Sequence, residues 1–384
     1  MAMNQYSPGL EGIISNITTL SYLDVDRKEI LIRGYDLIQL ADNLSYTDVA
    51  HLLVHGEIPN KDEANTFCNS LRNKSSLPDE VYQTFKLMPK GTMVMDALRS
   101  GISFLAGYED ADTLMDNSHE ANLEKGVNLL AQVPAIAVNS YRALNGLDFV
   151  KPDPDLNYAE NFLFMIRGEK PDKQSLDVFD KILTCYIEHE MAASTFTSRV
   201  IGSSLSDIYG AMVGAVASLK GPLHGGANEA AINMLLDILN NGGAANAENY
   251  LMQKLESRER IMGFGHRVYM REYDPRALFL RDYIPLLIGR RSDGPELHEI
   301  YKIVEAVMLR ERGFYPNADY PIALLFYLLD VPIDLDTPIF FSSRVAGLIG
   351  HVMEQHEDNR LFRPRVQYDG PRGLQPPSGP ISPI

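Results

Sequence analysis

Four short stretches of this 384-residue sequence gather residue types that do chemistry. In Gly221-Pro-Leu-His-Gly-Gly-Ala-Asn-Glu229, His224 precedes two glycines and an amphipathic run. So little side-chain bulk lets a ligand come close to the imidazole. The positive end of a following helix disfavours imidazolium. A neutral imidazole can donate a hydrogen bond to a carbonyl oxygen as it becomes an enolate. A capped turn holding a packed His explains the same residues. In Met262-Gly-Phe-Gly-His-Arg-Val-Tyr-Met-Arg-Glu-Tyr-Asp-Pro-Arg276, one His (His266) and three arginines (Arg267, Arg271, Arg276) fall within eleven residues. Guanidinium forks at that density suit carboxylate and phosphate. Gly263-Phe-Gly265 is not a dinucleotide fingerprint, because a charged segment precedes it and the third Gly is missing.

The third stretch, Tyr315-Pro-Asn-Ala-Asp-Tyr-Pro321, opens an apolar helix running to Leu329. Asn317 or Asp319 suits an N-cap; equally, a helix N-terminus keeps Asp319 ionised and able to act as a base. The fourth, Glu188-His-Glu-Met191, is no zinc-protease motif, since Ala193 stands where the second His belongs. His189, His224 and His266 make a poor metal set among so many arginines. No G-x-S-x-G elbow supports serine hydrolysis.

The elements that must position these residues read as helices. Ser45-Tyr-Thr-Asp48 resembles a capping box, and the apolar run behind it stops at Gly56. Ser175 to Met191 has helical spacing, with Leu176, Phe179, Ile182, Leu183 and Tyr186 on one face. Tyr209 to Lys220 spaces Gly210, Gly214 and Ser218 four apart, which allows close helix approach in a soluble core. Glu229 to Asn240 is amphipathic and stops at Asn241-Gly242-Gly243. Alternating strand patterns are scarce, so the expected fold is mainly α. Lys151-Pro-Asp-Pro-Asp155 reads as a loop, and the last fourteen residues, with five prolines, read as an extended or disordered tail.

Composition narrows the class. With 45% hydrophobic and 22% charged residues, the chain has the profile of a folded soluble protein. Two cysteines exclude a disulfide scaffold and suit a reducing compartment. Apolar runs are too short to span a bilayer, and the N-terminus lacks secretory or transit character, so cytoplasm is the expected location. A net charge of −16 argues against nucleic acid or anionic membrane as partners. Against that background, Lys254 to Arg291 holds nine basic and five acidic residues, and Arg360, Arg363, Arg365 and Arg372 follow. Such stretches are either solvated helix faces or pockets for small, highly charged anions.

Together, and in this order, the four motifs resemble the citrate synthase family. The resemblance extends to Tyr6-Ser-Pro-Gly-Leu-Glu-Gly12, Ile32-Arg-Gly-Tyr35, Ala97-Leu-Arg99, His189-Glu-Met-Ala-Ala-Ser-Thr-Phe196, Thr337-Pro-Ile-Phe340 and Asn359-Arg-Leu-Phe-Arg-Pro-Arg365, so it spans nearly the whole chain. It implies a two-domain helical fold: residues 1–222 and 330–370 as the large domain, 223–329 as a smaller inserted one, and 371–384 as the Pro-rich tail. It also implies a homodimer that closes over oxaloacetate and an acyl-CoA, with no cofactor and no metal. By motif, Asp319 would remove the acyl α-proton, His224 would hydrogen-bond the thioester oxygen, and His266 would polarise the oxaloacetate carbonyl. His189, Arg276, Arg344 and Arg363 would hold carboxylates, with Arg363 reaching from the partner subunit, and Arg271 would meet the CoA phosphates.

The short form resembles bacterial-type citrate and 2-methylcitrate synthases, or a fungal alkylcitrate synthase of secondary metabolism. After Asp319-Tyr320 this chain reads Pro321-Ile322-Ala323 where the family has an aromatic or Ser and then a small residue. An acyl group larger than acetyl is therefore expected. Ordinary citrate synthesis, a non-catalytic citrate-binding relative and a reverse-running lyase are the alternatives.

Overall fold

The computed structural model describes residues 6–24, 27–265, 269 and 272–378. Its helices begin and end where local chemistry says they should. Ser45 caps the helix Tyr46–His55 through a complete capping box with Asp48, and Gly56 closes it in the left-handed conformation. The helix Ala227–Asn240 starts two residues earlier than its amphipathic pattern and stops at Asn241, followed by Gly242 and Gly243 at positive φ. One expectation fails: the periodic run from Ser175 does not reach Met191. The helix is Lys173–Tyr186, and the chain then turns, with Glu190 at φ 53°. That early stop frees residues 187–192 to form one wall of a cleft.

Two helices carry the core. The helix Asp336–Glu357 is buried along nearly all its length and packs against the 26-residue helix His119–Leu144. They approach closely because Gly126 faces Ile349; a Cβ there would lie 2.7 Å from the Ile349 side chain. Around them pack Val94–Leu105, Ala193–Gly202 and Ile208–Leu219. The expected small-residue approach occurs at Gly214, whose added Cβ would overlap Ile201 of the neighbouring helix. At roughly 25 cal/mol per Å² of apolar surface, such burial is the main stabilising term.

Helices of the segment 223–329 pack chiefly on one another: Ala227–Asn240 on Gly294–Arg312 and Asp319–Leu328, and Ala247–Glu256 on Gly294–Arg312. Tyr301 and Tyr320 stack at 4.3 Å, and the Tyr320 hydroxyl donates to the Tyr301 carbonyl. The short helix Pro275–Arg281 leans on Asp319–Leu328 and also touches the helix Lys173–Tyr186.

The described strands form one antiparallel sheet, β1 (Ser21–Asp24), β2 (Glu29–Ile32) and β3 (Tyr35–Asp36), in that order. Leu23, Ile30 and Ile32 face the core while Ser21 reaches Glu188 beside the cleft. Among the described residues no helix is long and apolar enough to cross a membrane. Residues 359–378, including most of the Pro-rich stretch, form neither helix nor strand and are largely exposed. Cys185 is fully buried, which pushes its thiol up to about 12, while Cys68 is half-buried.

Candidate active site

A cleft of about 1160 Å³ opens where the 187–193 turn, the 222–227 turn, the 258–265 loop and the start of the helix Asp319–Leu328 meet. His189, His224, Arg276, Asp319 and Arg344 all line it. Residues up to 155 positions apart in sequence thus share one wall system.

Asp319 occupies the first turn of its helix, and the assigned cap is Ala318 rather than Asn317 or Asp319. Asn317 still does a cap's work: its Oδ1 accepts the Asp319 backbone N–H at 3.0 Å. The same side chain donates to the Gly265 carbonyl, and its backbone N–H donates to the Gly263 carbonyl. Gly263 and Gly265 both have positive φ, and a Cβ on Gly263 would press on Tyr320. Those glycines therefore lay the loop against the helix Asp319–Leu328. Burial raises the Asp319 carboxyl above its ordinary range, opposed by the Tyr186 hydroxyl and by the Arg276 and Arg344 charges. The Tyr186 hydroxyl donates to Asp319 Oδ1 at 2.7 Å.

His224 sits in a turn fixed by backbone contact. Gly225 donates to the Leu219 carbonyl at 2.9 Å, and a Cβ at Gly225 would lie 2.5 Å from that oxygen. The Ser194 backbone N–H donates to His224 Nε2 at 3.1 Å, with the Ser194 hydroxyl 2.8 Å from the same nitrogen. An amide N–H can only donate, so Nε2 accepts and the proton of the neutral ring resides on Nδ1. Burial, then the Arg344 charge, lowers His224 to about 4. At neutral pH the ring is an uncharged donor.

Two buried guanidinium groups set the charge of the floor. Arg276 is forked by Asp274, with Nε to Oδ1 at 3.0 Å and Nη2 to Oδ2 at 2.7 Å. Burial opposes the charge on Arg276, but the Asp274 carboxylate outweighs it and the guanidinium is held above its usual value. Arg344, on the helix Asp336–Glu357, lies over the Phe340 ring at 4.2 Å and donates through Nε to the Tyr186 carbonyl at 3.2 Å. Burial lowers it to about 10, partly offset by Glu188, so it stays cationic and in need of an anion. His189 is buried with Nε2 3.3 Å from the Tyr269 hydroxyl.

Three expected site residues remain to be placed. His266 and Arg271 lie outside the described residues. Arg363 is exposed beyond the core helix, donates to the Pro364 carbonyl and does not line the cleft. Pro321, Ile322 and Ala323 are buried in their helix and do not line it either. The substitutions there face packing, so they give no direct wall to an acyl chain. The residue reading missed Tyr186 as more than a core aromatic, along with Asp274 and Ser194, while Asn317 was read as a cap candidate. The capping chemistry of Asp-Pro at 274–275 was the one available signal.

A carboxylate, an uncharged imidazole donor and two buried cations around one cleft have the chemistry suited to proton abstraction on anionic substrates. The chain belongs to the citrate synthase family, whose profile (citrate synthase, C-terminal domain) matches residues 9–365. Such enzymes are transferases that use oxaloacetate and acyl-CoA and form citrate-type products. It is 47% identical to citrate synthase of Heyndrickxia coagulans, covering 97% of this chain and 98% of the relative. It is equally 47% identical to citrate/2-methylcitrate synthase of Bacillus subtilis (strain 168), covering 96% and 97%. The fold matches citrate synthase of Thermoplasma acidophilum, solved as a ternary complex with carboxymethyl coenzyme A and oxaloacetate, at TM-score 0.91 and 29% identity over 98% and 99% of the two chains.

Proposed function

We propose that this chain joins an acyl-CoA larger than acetyl to oxaloacetate and hydrolyses the resulting thioester. The observation that carries the chemistry is the pairing of Asp319 with an Nδ1-protonated, neutral His224 in one cleft. A thioester α-proton is weakly acidic, so a carboxylate removes it only where the oxyanion is stabilised as it forms. Asp319 takes the α-proton, the C–H pair becomes the enolate, and His224 Nδ1–H donates to the developing oxygen. The enolate carbon then attacks the oxaloacetate carbonyl, whose oxygen is protonated by His266. Arg276, Arg344 and His189 hold the carboxylates, and Arg363 completes the set from the partner of a homodimer. Arg271 meets the CoA phosphates. Water then cleaves the thioester to the tricarboxylate, free CoA and a proton. Residues 223–329 act as the smaller domain that closes over the cleft and excludes solvent from the enolate. No cofactor is called for by this sequence of steps.

Support for the larger acyl group is the presence of Leu223, Leu255, Ile261, Met262, Met308 and Phe314 among the residues that line the cleft, interspersed with charged ones, together with the relative named citrate/2-methylcitrate synthase. The relative of equal identity named citrate synthase favours acetyl-CoA as the second reading. One methylene changes pocket selectivity by only about 1–3 kcal/mol, so direct assay decides between them. Thiol release is measured with acetyl-, propionyl-, hexanoyl- and decanoyl-CoA, with and without oxaloacetate. The expected result is oxaloacetate-dependent release, fastest beyond acetyl and abolished in Asp319→Asn. Fastest release with acetyl-CoA would overturn the acyl assignment, and no release with any of the four would overturn the condensation.

A further inference from the structure

Tyr186 ends the helix Lys173–Tyr186 and is fully buried at the back of the cleft. Three contacts fix it. Its ring stacks on Phe340 at 4.1 Å with 29° between planes. Phe340 in turn carries the Arg344 guanidinium on its ring, so tyrosine, phenylalanine and arginine share one stack. The Tyr186 carbonyl accepts from Arg344 Nε, and its hydroxyl donates to Asp319 Oδ1 at 2.7 Å. One residue therefore touches both the base and a substrate-facing cation from a locked position.

We infer that Tyr186 is a positioning residue for the condensation: by holding Oδ1 of Asp319 it turns Oδ2 toward the substrate as the oxygen that takes the α-proton. A carboxylate at the start of a helix has a free χ2 rotation unless one oxygen is engaged. Engagement of one oxygen sets the plane of the other. The phenol is a fit donor because burial, and then Asp319 itself, holds it well above its ordinary value, so it does not ionise in the working range. The hydrogen bond also favours the ionised base against the burial that disfavours it. The other groups acting on Asp319 are Arg276 and Arg344, which favour its charge, and Asp274, which opposes it; Asp336 faces Tyr186 and Asp319 from the start of its own helix, and His224 shares the cleft uncharged.

This role rests on the condensation proposed above, and its test separates the two. The kcat, both KM values and the pH profile of kcat are measured for the parent enzyme, for Tyr186→Phe and for a variant carrying 3-fluorotyrosine at position 186. Loss of the hydroxyl should cut kcat about 10- to 100-fold at neutral pH, with both KM values within about threefold. The acidic limb of the profile should move to higher pH, because the donor that favoured ionised Asp319 is gone. Fluorotyrosine keeps the shape and makes a stronger donor, so the limb should move to lower pH. A Phe variant with parental kcat and limb would overturn the role, as would a loss of rate with the limb unmoved, which is the signature of packing alone. Should the Phe variant not fold, the fluorotyrosine limb decides by itself, and an unmoved limb overturns the role. A parent enzyme without condensation activity would remove the proposed function and this role together; an active parent with an indifferent Tyr186 removes only the role.

Discussion

Asp274 Oδ2 accepts the backbone N–H of Ala318 at 3.2 Å, across 44 positions of sequence, while the same carboxylate forks Arg276. Ala318 is the residue before Asp319. The carboxylate that neutralises Arg276 therefore also sets the start of the helix that carries the proposed base, Asp319.

Replacing Asp274 by Asn should therefore do two things at once. It leaves Arg276 buried without its counter-charge, which costs about 3–5 kcal/mol in typical buried pairs. It also loosens Ala318, so both the KM for oxaloacetate and kcat should worsen. Urea unfolding and steady-state kinetics check the two effects; a variant as stable as the parent would mean the fork contributes little to the fold.

His224 gives a pH signature of its own. Its folded value of about 4 lies below the ordinary 6.5, so between those values the unfolded chain binds more protons. Stability from this group is complete above about 6.5 and is lost as pH falls toward 4. His224→Gln should flatten that part of the stability curve in thermal melts run from pH 4 to 7. It should also lower kcat by about 10²–10³, the usual effect of removing one oxyanion donor.

Asp336 offers the opposite sign. It is buried at the start of its helix, and neither carboxylate oxygen has a hydrogen-bond partner among the described residues. Burial raises it well above 3.8, with Glu229, Asp334 and Asp319 adding repulsion. The folded state then holds its proton longer than the unfolded one. Its contribution is present below 3.8 and is lost as pH rises through the folded value. Asp336→Asn should raise stability at pH 8 by about 1–3 kcal/mol and have no such benefit at pH 3.5. Denaturant titrations at the two pH values check the difference.

Asp319→Asn separates function from stability. The Asp319 carboxyl is held in a poorly solvated place that disfavours its charge, so a neutral side chain should leave the melting temperature equal or higher. Turnover should fall by at least about 10²–10⁴, the span of general-base contributions. A variant that retains turnover would place the base elsewhere.

Residues adjacent in sequence or in helical register were readable before any coordinates: the Ser45–Asp48 box, the glycine stop after Asn240 and the close approach at Gly214. Each is set by atoms within a turn or two, or by the mere lack of a Cβ. The candidate residues His224, Arg276, Asp319, Arg344 and His189 were legible through motifs, and they converge on one cleft. Their supports were not. Tyr186 and Ser194 act through contacts 133 and 30 positions away, and a tyrosine on an apolar face carries the same pattern whether its hydroxyl idles or holds a base. The helix ending at Tyr186 was overextended because Ile187 and Met191 continue the apolar spacing; the turn there serves the cleft rather than local propensity.

The two cysteines bear on how this chain is assayed. Cys185 is sealed in the core with its thiol pushed up to about 12, and Cys68 is half-buried with its sulfur 3.6 Å from the Thr47 hydroxyl. Thiolate is the species that attacks a chromogenic disulfide. Continuous colorimetry of liberated coenzyme thus meets at most one protein sulfhydryl per chain, Cys68, and Cys185 should stay unreactive while the native fold lasts. A late second equivalent of protein thiol would report exposure of Cys185 and hence unfolding instead of turnover, which makes the reagent a built-in monitor of enzyme integrity.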